Sequence, residues 1–377
     1  MSKQVDVYLV ASPLHFFWAF ALASRFLEQR ESHLVLIDQY TDKPLNLWTY
    51  LTPENTPFAS QQRLEGRELS GWSKLQNRRK QFQWAHSFVN CNEITTVWIG
   101  NDRSVLGQWF IMQAKQKNKA CVACYMDDGV FSYLGRSASK SISERYLDAF
   151  FKKLVYGFWY DSPMTVGVSK WIDEAWVMYP QQVNALLHSK MLVDIYPDNQ
   201  GFKAITGLAK ELVANAHVSL RQLTELDILI TLPNQTLFSK VASYEEAMGR
   251  LLQGLQASGL KVALKYHPSA GENDPLRFKE KGFWLLPSAV SFEMFLPFLK
   301  NCTLIGDIST TVLLANYANS VKQVLIVKLT NDHSIQEMIQ LCQRLSIQVL
   351  DLKQASTLTL FLEELSQASL VKRLDDV

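Results

Sequence analysis

The chain has 377 residues, more than one hydrophobic core usually serves, so its length predicts two domains. Hydrophobic residues make up 47% of the composition and charged residues 20%, a globular balance that excludes a largely disordered chain. The formal net charge of only +2 argues against a dedicated nucleic-acid-binding protein, and we expect no nucleic-acid partner.

The first half of the chain alternates short apolar runs with longer amphipathic segments. A helix is predicted from Pro13, directly after the first apolar run. Strands are predicted at residues 5–12, 33–40, 94–101, 120–127 and 174–180, the last of these closing the first half. Such alternation is typical of parallel strands covered by helices, so we assign residues 1–190 to an amino-terminal Rossmann-like domain.

The alternating pattern ends after residue 190, where turn residues and a long helical pattern predict a linker region over residues 191–226. The alternation then restarts, and residues 227–377 are assigned to a carboxy-terminal Rossmann-like domain. Its strands are predicted at residues 227–233, 260–268, 302–309 and 323–329, and its helices at 244–259, 292–302 and 310–318. Ligands bind beyond the carboxyl ends of strands in open parallel sheets, so two such domains facing each other predict an interdomain cleft.

Four loops that follow predicted strands are unusually polar, and we expect all of them to face this cleft. They are residues 12–15 (SPLH), 127–129 (DDG), 266–269 (YHPS) and 307–311 (DISTT). The patterns of P-loop, dinucleotide-binding, zincin and serine-hydrolase sites are missing from the sequence. Chemistry in this protein is therefore expected from the four loops themselves.

Ser309, Thr310 and Thr311 stand between a predicted strand and a predicted helix, where hydroxyl and backbone N–H groups can hold a phosphate. Helix capping alone is the alternative explanation.

His267 ends a strand, and Pro268 keeps it extended. Beside a phosphate held by the loop after a neighbouring strand, its imidazole could assist a departing oxygen, although a local hydrogen-bonding role is also open.

Asp127 and Asp128 at the end of another strand could accept the proton of an attacking hydroxyl, since repulsion between neighbouring carboxylates can raise one pKa. The alternative is that they cap a turn in which Gly129 adopts a positive φ. A metal site is not expected, because side chains of adjacent extended residues diverge. Cys121 and Cys124 form a lone C-x-x-C pattern without further ligands at zinc spacing.

The five cysteines do not suggest a disulfide framework, and the amino terminus lacks the apolar core of a signal peptide. The sequence contains no run of about 18 apolar residues, which is the length needed to span a bilayer. We therefore expect a cytoplasmic protein, working at the inner face of the cytoplasmic membrane. Residues 72–84 (WSKLQNRRKQFQW) have a composition suited to an anionic membrane surface or glycan, or to an ordinary solvated face.

In order and spacing, these motifs resemble those of the bacterial GT-B sialyltransferases, especially the lipooligosaccharide sialyltransferases and polysialyltransferases. The likeness rests on Ser12-Pro13, Asp127-Asp128-Gly129, His267-Pro268 and Ser309-Thr310. It implies an α/β protein of GT-B architecture, with an acceptor-binding first domain and a nucleotide-sugar-binding second domain. The implied reaction is an inverting, metal-independent and cofactor-free transfer of sialic acid or a related nonulosonic acid from a CMP-activated donor to a glycan or glycolipid hydroxyl.

The resemblance also implies roles for individual residues. One of Asp127 and Asp128 is the general base, and His267 assists the leaving phosphate. The nucleotide and phosphate side comprises His267, Pro268, Ser309, Thr310, Thr311 and Glu293; the acceptor side comprises Ser12, His15 and Gly129. His15 departs from the pattern, because relatives often have glutamine there.

Two further functions stay open at this point. The chain could be another nucleotide-sugar enzyme of the same fold, such as a Kdo transferase or a UDP-sugar transferase or epimerase. It could also be a non-catalytic glycan-binding or scaffold subunit of a surface-polysaccharide complex. A scaffold has no need of strand-end Asp, His and Ser/Thr together, so the sequence favours an enzyme.

Overall fold

The chain forms two compact units, Met1–Leu208 and Ala209–Val377. The computed structural model describes residues 4–41, 49–52, 54–135, 150–195, 200–233, 244–268, 273–329, 333–354 and 356–365. The division between the units falls within residues 191–226, the stretch predicted as a linker region.

The first unit contains a sheet of seven parallel strands in the order β3-β2-β1-β4-β5-β6-β7. The strands are β1 (Gln4–Val10), β2 (Arg30–Gln39), β3 (Ser60–Glu65), β4 (Ile94–Ile99), β5 (Val122–Met126), β6 (Glu174–Val177) and β7 (Met191–Asp194). The strand order reverses between β1 and β4, and ligands bind at such a point in open parallel sheets. The loops after β1, β4 and β5 therefore occupy the favoured position for a site.

Four helices of this unit are α1 (Pro13–Arg25), α2 (Gly71–Cys91), α3 (Val105–Lys117) and α4 (Val130–Leu134), and residues 150–156 are also helical. Helix α1 begins with Pro13 at its first position and is capped by the Ser12 side chain, which accepts a hydrogen bond from the His15 backbone N–H at 3.3 Å. Its residues from 14 to 23 are all buried, as expected for a helix that is apolar on most sides.

The second unit contains six parallel strands in the order β10-β9-β8-β11-β12-β13. The strands are β8 (Ile228–Thr231), β9 (Val262–Lys265), β10 (Trp284–Leu286), β11 (Thr303–Gly306), β12 (Gln323–Lys328) and β13 (Gln348–Asp351). The helices are α5 (Gln200–Asn215), which crosses the division, α6 (Leu220–Thr224), α7 (Tyr244–Ala257), α8 (Thr310–Ala318) and α9 (His333–Arg344), and residues 356–365 are helical as well.

The predicted α/β alternation is confirmed, since both sheets are wholly parallel. Several details differ from the prediction. Strand β6 does not close the first sheet, because β7 pairs with it beyond residue 190. Residues 292–302 form two short 3-10 turns in place of a helix, where Pro297 removes a backbone donor. The strands that precede His267 and Ser309 are not neighbours, because β8 lies between β9 and β11.

Among the described residues, no helix is both long and apolar enough to cross a bilayer. Cys121 and Cys124 are free thiols buried in the first unit. Burial raises the pKa of Cys121 to about 12, which keeps the thiol protonated at neutral pH.

Candidate functional site

The carboxyl edge of the first sheet brings together the predicted residues of that unit. Ser12 and His15 follow β1, and residues 127–129 follow β5, while β4 lies between these two strands. His15 and Asp128 meet there across 113 positions of sequence, with 2.8 Å between His15 Nε2 and Asp128 Oδ1. The parallel topology thus places a buried imidazole directly against one of the two candidate carboxylates.

Asp127 is completely buried, and protein donors occupy both of its oxygens. Oδ1 accepts from the Gly129 backbone N–H at 2.6 Å and from the Ser132 hydroxyl at 2.9 Å. Oδ2 accepts from the Met178 backbone N–H at 2.8 Å and from the Tyr133 hydroxyl. Burial raises the pKa of Asp127 to about 6 although these hydrogen bonds oppose the shift. The carboxylate therefore ties the end of β5 to helix α4 and to the segment after β6.

Asp128 occupies a different environment from its neighbour. Its backbone N–H donates to the Tyr125 hydroxyl at 3.2 Å and to the Ser132 hydroxyl at 3.1 Å, which fixes the main chain. Its side chain is 17% exposed, and within the described residues His15 is its side-chain partner. Gly129 has a φ of 68°, as predicted for the turn, and is the N-cap residue of α4.

His15 is buried against the backbone of Gly100, the residue after β4. A Cβ atom at position 100 would lie 2.1 to 2.3 Å from ring atoms of His15, so the ring fits only because this residue is glycine. The Nδ1 atom of His15 is buried without a hydrogen-bond partner among the described residues. When a neutral ring donates from Nε2 to the carboxylate, Nδ1 carries only a lone pair. A buried lone pair without a partner costs less free energy than a buried N–H group without a partner.

The second unit places His267 two residues after the end of β9, where it is exposed and followed by Pro268. Partial burial and the positive charge of Lys265 lower the pKa of His267. Lys265, the last residue of β9, precedes it by two residues. Lys265 was not among the predicted site residues, and its signal in the sequence is a lysine that ends the apolar run VALK.

Lys265 is almost fully buried, and its ammonium group donates to the Pro287 carbonyl at 3.0 Å. Burial lowers the pKa of Lys265 to about 7, opposed by the negative charge of Glu293. Glu293, the predicted nucleoside contact, is itself buried. Lys265 thus interacts electrostatically both with Glu293 and with the strand-end histidine of this unit.

The loop after β11 leads into α8 and carries the predicted hydroxyl residues. Ser309 is the N-cap residue of α8, but its side chain makes no capping hydrogen bond. Its hydroxyl lies 2.5 Å from that of Thr311, which in turn lies 3.3 Å from the Thr231 hydroxyl at the end of β8. Thr310 is the first residue of the helix. The hydroxyls of Ser309, Thr311 and Thr231 therefore cluster at the N-terminus of α8, a favourable place for an anion.

Asp307, in the same loop, was not among the predicted site residues. It is buried, and its Oδ1 accepts from the Ile308 backbone N–H at 2.7 Å. Its Oδ2 has no partner among the described residues. Burial raises the pKa of Asp307 to about 6. Nowhere in the described part of the chain do three or more His, Cys, Asp or Glu side chains form a potential metal site.

The basic segment of residues 72–84 lies within helix α2. Arg78 is paired with Asp38 at 3.1 Å, and Trp84 stacks on Phe88 with 5.3 Å between ring centroids. Trp72 is largely exposed, and so are Arg79 and Lys80. One part of this segment therefore stabilises the unit, and another part is available to a partner.

No model of a known protein family matches the chain, and no curated protein matches it either. Solved structures do resemble it. An α/β-galactoside α-2,3-sialyltransferase from the luminous marine bacterium Photobacterium phosphoreum superposes with a TM-score of 0.57 at 14% identity, covering 93% of this chain and 99% of the other. A sialyltransferase from Photobacterium damsela gives a TM-score of 0.53 at 13% identity, with 93% and 82% covered.

A protein from Listeria monocytogenes assigned as a UDP-N-acetylglucosamine 2-epimerase also gives a TM-score of 0.53, at 12% identity, with 97% and 88% covered. At such identities the likeness concerns the fold and leaves the reaction open. The chain therefore has a GT-B fold of two parallel-sheet α/β domains, shared with sialyltransferases and with nucleotide-sugar epimerases.

Proposed function

We propose that the protein is a glycosyltransferase that moves sialic acid or a related nonulosonic acid from a CMP-activated donor to a sugar hydroxyl of a bacterial surface glycan or glycolipid. The observation that carries this proposal is the pair formed by His15 and Asp128. A partly exposed carboxylate is oriented by a buried histidine, beside a second carboxylate that protein donors fully occupy. The fold neighbours, which include two sialyltransferases, support the class of reaction.

Asp128, and not Asp127, is the proposed general base. The acceptor hydroxyl attacks the anomeric carbon of the donor, and its proton passes to the Asp128 carboxylate. A new carbon–oxygen bond forms while the bond from that carbon to the phosphate oxygen breaks, with the electron pair leaving on CMP. We do not assign this role to Asp127, because four protein donors already use its oxygens. Ser12, Gly129 and His15 form the acceptor side, where His15 keeps Asp128 in place.

The second unit is proposed to hold the donor nucleotide. The hydroxyls of Ser309 and Thr310, with Thr311 next to them, bind the phosphate at the N-terminus of α8. His267 donates a hydrogen bond to the departing oxygen, which a neutral imidazole can do, and Pro268 keeps it extended. Glu293 contacts the nucleoside. None of these steps requires a metal ion or a cofactor.

The direct test is incubation with CMP-activated sialic acid, with CMP release as the readout. CDP- and UDP-linked sugars serve as controls, and CMP, CDP and UDP are compared for their effect on the thermal midpoint. A ligand that binds only the folded state raises this midpoint. We expect CMP release together with a stabilising effect of CMP. The absence of both would rule out the proposal.

A UDP-sugar epimerase is the second candidate, favoured by the likeness to the Listeria protein. It predicts stabilisation by UDP but not by CMP, with UDP-N-acetylglucosamine converted to its 2-epimer. A Kdo transferase also uses a CMP-activated sugar, so it would release CMP from CMP-Kdo in preference to the sialic acid donor. Incubations that also include CMP-Kdo and UDP-N-acetylglucosamine separate all three functions.

A further inference from the structure

The first unit displays a run of large apolar side chains to solvent at residues 150–158. Five of these side chains are each more than half exposed, up to 85% for Phe158; they are Phe150, Phe151, Leu154, Val155 and Phe158. Residues 150–156 are helical and carry the first four of these side chains, and Phe158 lies in the turn that follows. A contiguous apolar patch of this kind on a folded domain marks an interaction surface.

This run lies next to the basic helix α2. The Phe82 ring of α2 is 6.4 Å from the Tyr156 ring and 6.1 Å from the Trp159 ring, both in edge-to-face geometry. Trp72, Arg79 and Phe82 recur along α2 at intervals of seven and three residues and therefore share one stripe of the helix. We call residues 150–158, together with Trp72, Arg79 and Lys80, the aromatic-basic surface.

The charge of both segments has a single sign. Helix α2 and residues 150–160 contain no Asp or Glu. Their basic residues are Lys74, Arg78, Arg79, Lys80, Lys152 and Lys153. Arg78 pairs with Asp38, which belongs to β2, and Arg79 and Lys80 are exposed. The partner of this surface must therefore be both apolar and anionic.

We propose that the aromatic-basic surface docks the protein peripherally on an anionic lipid bilayer. Phe151, Leu154 and Phe158 enter the boundary between headgroups and acyl chains, and Arg79 and Lys80 contact anionic headgroups. A second copy of the chain fits less well, because a twofold contact through this surface would bring the same cations together. The inference goes beyond the proposed reaction and does not depend on it.

The test is co-sedimentation of the full chain with phosphatidylcholine vesicles that do or do not contain phosphatidylglycerol. We expect binding to the anionic vesicles, weakened by added salt because charges are screened over about 8 Å at physiological ionic strength. The triple variant Phe151→Ser/Leu154→Ser/Phe158→Ser should lower the partition coefficient at least about tenfold, since its apolar contacts with lipid are lost. Arg79→Gln/Lys80→Gln should lower it by about fivefold for each charge removed.

Matched controls change exposed residues elsewhere. Leu27→Ser/Leu186→Ser/Leu360→Ser removes three exposed leucines, and Lys119→Gln/Lys300→Gln removes two exposed charges. Both should bind anionic vesicles like the unchanged protein, and circular dichroism should report folded protein for every variant. The proposal is overturned if the unchanged protein does not bind anionic vesicles at low salt, or if the triple variant binds them as well as the triple-leucine control does. It is also overturned if the triple variant abolishes a dimer seen by light scattering while vesicle binding persists.

Discussion

Asp127 and Asp128 are adjacent in sequence, yet they occupy opposite environments. Successive side chains of an extended segment point to opposite sides, so Asp127 projects into protein donors while Asp128 reaches His15 and solvent. One carboxylate therefore contributes to the stability of the first unit, and the other is available for proton transfer. Substitutions at the two positions should therefore affect different properties, stability at Asp127 and turnover at Asp128.

Asp128→Asn should lower turnover by about 10²–10⁴-fold while CMP affinity and stability change little, because general-base catalysis is worth that much and the nucleotide contacts remain. Asp127→Asn should instead destabilise the fold by about 1–3 kcal/mol for each donor left without an acceptor, since the new amide nitrogen replaces an oxygen that accepts two hydrogen bonds. Turnover, CMP titration and urea unfolding of both variants provide the check. Near-normal turnover of folded Asp128→Asn would exclude it as the base.

His15 should act on turnover only through Asp128. His15→Ala removes the Nε2 donor and should lower kcat by roughly 10²-fold with an unchanged KM for the donor, because a misplaced catalytic group costs about that much. His15→Gln retains an N–H donor and should restore most of the loss. The pH profiles of the three proteins provide a readout that a purely structural role would not move. Equal kcat for the alanine and glutamine variants would contradict this role.

Gly100→Ala should reproduce the kinetic defect of His15→Ala, because the added Cβ overlaps the imidazole ring. The control is Gly249→Ala, at a helical position where an added Cβ meets nothing within 4 Å. It should leave kcat unchanged. A folded Gly100→Ala protein with normal kcat would mean that the position of His15 is not critical for turnover.

At the scale of elements, apolar runs predicted the inner strands well. The run QVLIVK is β12, and TTVLLANYA is the whole of α8. The missed strands are short or polar: β3 reads SQQRLE at one edge of its sheet, and β10 has only three residues. An edge strand has one paired neighbour and more solvent, so it needs no apolar run to be stable. Pro297 limits residues 292–302 to 3-10 turns despite their apolar pattern.

The hydroxyl residues at the N-terminus of α8 allow a test at this scale. Ser309→Ala/Thr310→Ala should weaken CMP binding by about tenfold or more, since each lost charge-assisted hydrogen bond costs about 1.5–3 kcal/mol. Ser219→Ala is the matched control, because Ser219 caps α6 in the same unit by accepting from the Gln222 backbone N–H. It should leave the Kd for CMP unchanged. If the double variant kept its CMP affinity, the loop would be a helix start and nothing more.

At the scale of the whole molecule, the sequence could place candidate residues at strand ends because parallel strands align their carboxyl ends. It could not show that His15 meets Asp128, since that contact joins residues 113 positions apart. It also could not distinguish Asp127 from Asp128, or reveal the burial of Lys265. These properties depend on how distant segments pack around each side chain.

The buried ionisable groups make the stability of the folded chain depend on pH in two separate ranges. Burial raises the pKa of Asp127 and Asp307 from 3.8 to about 6, so in that window the folded chain binds more protons than the unfolded chain. Their contribution to stability is full below 3.8 and is lost as the pH rises through about 6. Burial lowers the pKa of Lys265 from 10.5 to about 7, so there the unfolded chain binds more protons. This contribution is present above 10.5 and is lost as the pH falls through about 7.

Lys265→Met isolates the alkaline part, because methionine fills a similar volume without a charge. In the unchanged protein, this lysine should increase the free energy of unfolding by about 2 kcal/mol between pH 7 and pH 9. The variant should lack that increment, whereas Lys300→Met, at an exposed position, should retain it. Urea unfolding of the three proteins at both pH values provides the measurement. If the unchanged protein and Lys265→Met gained stability equally, the ammonium group would titrate at its ordinary pKa in the folded chain, and its burial would carry no electrostatic cost.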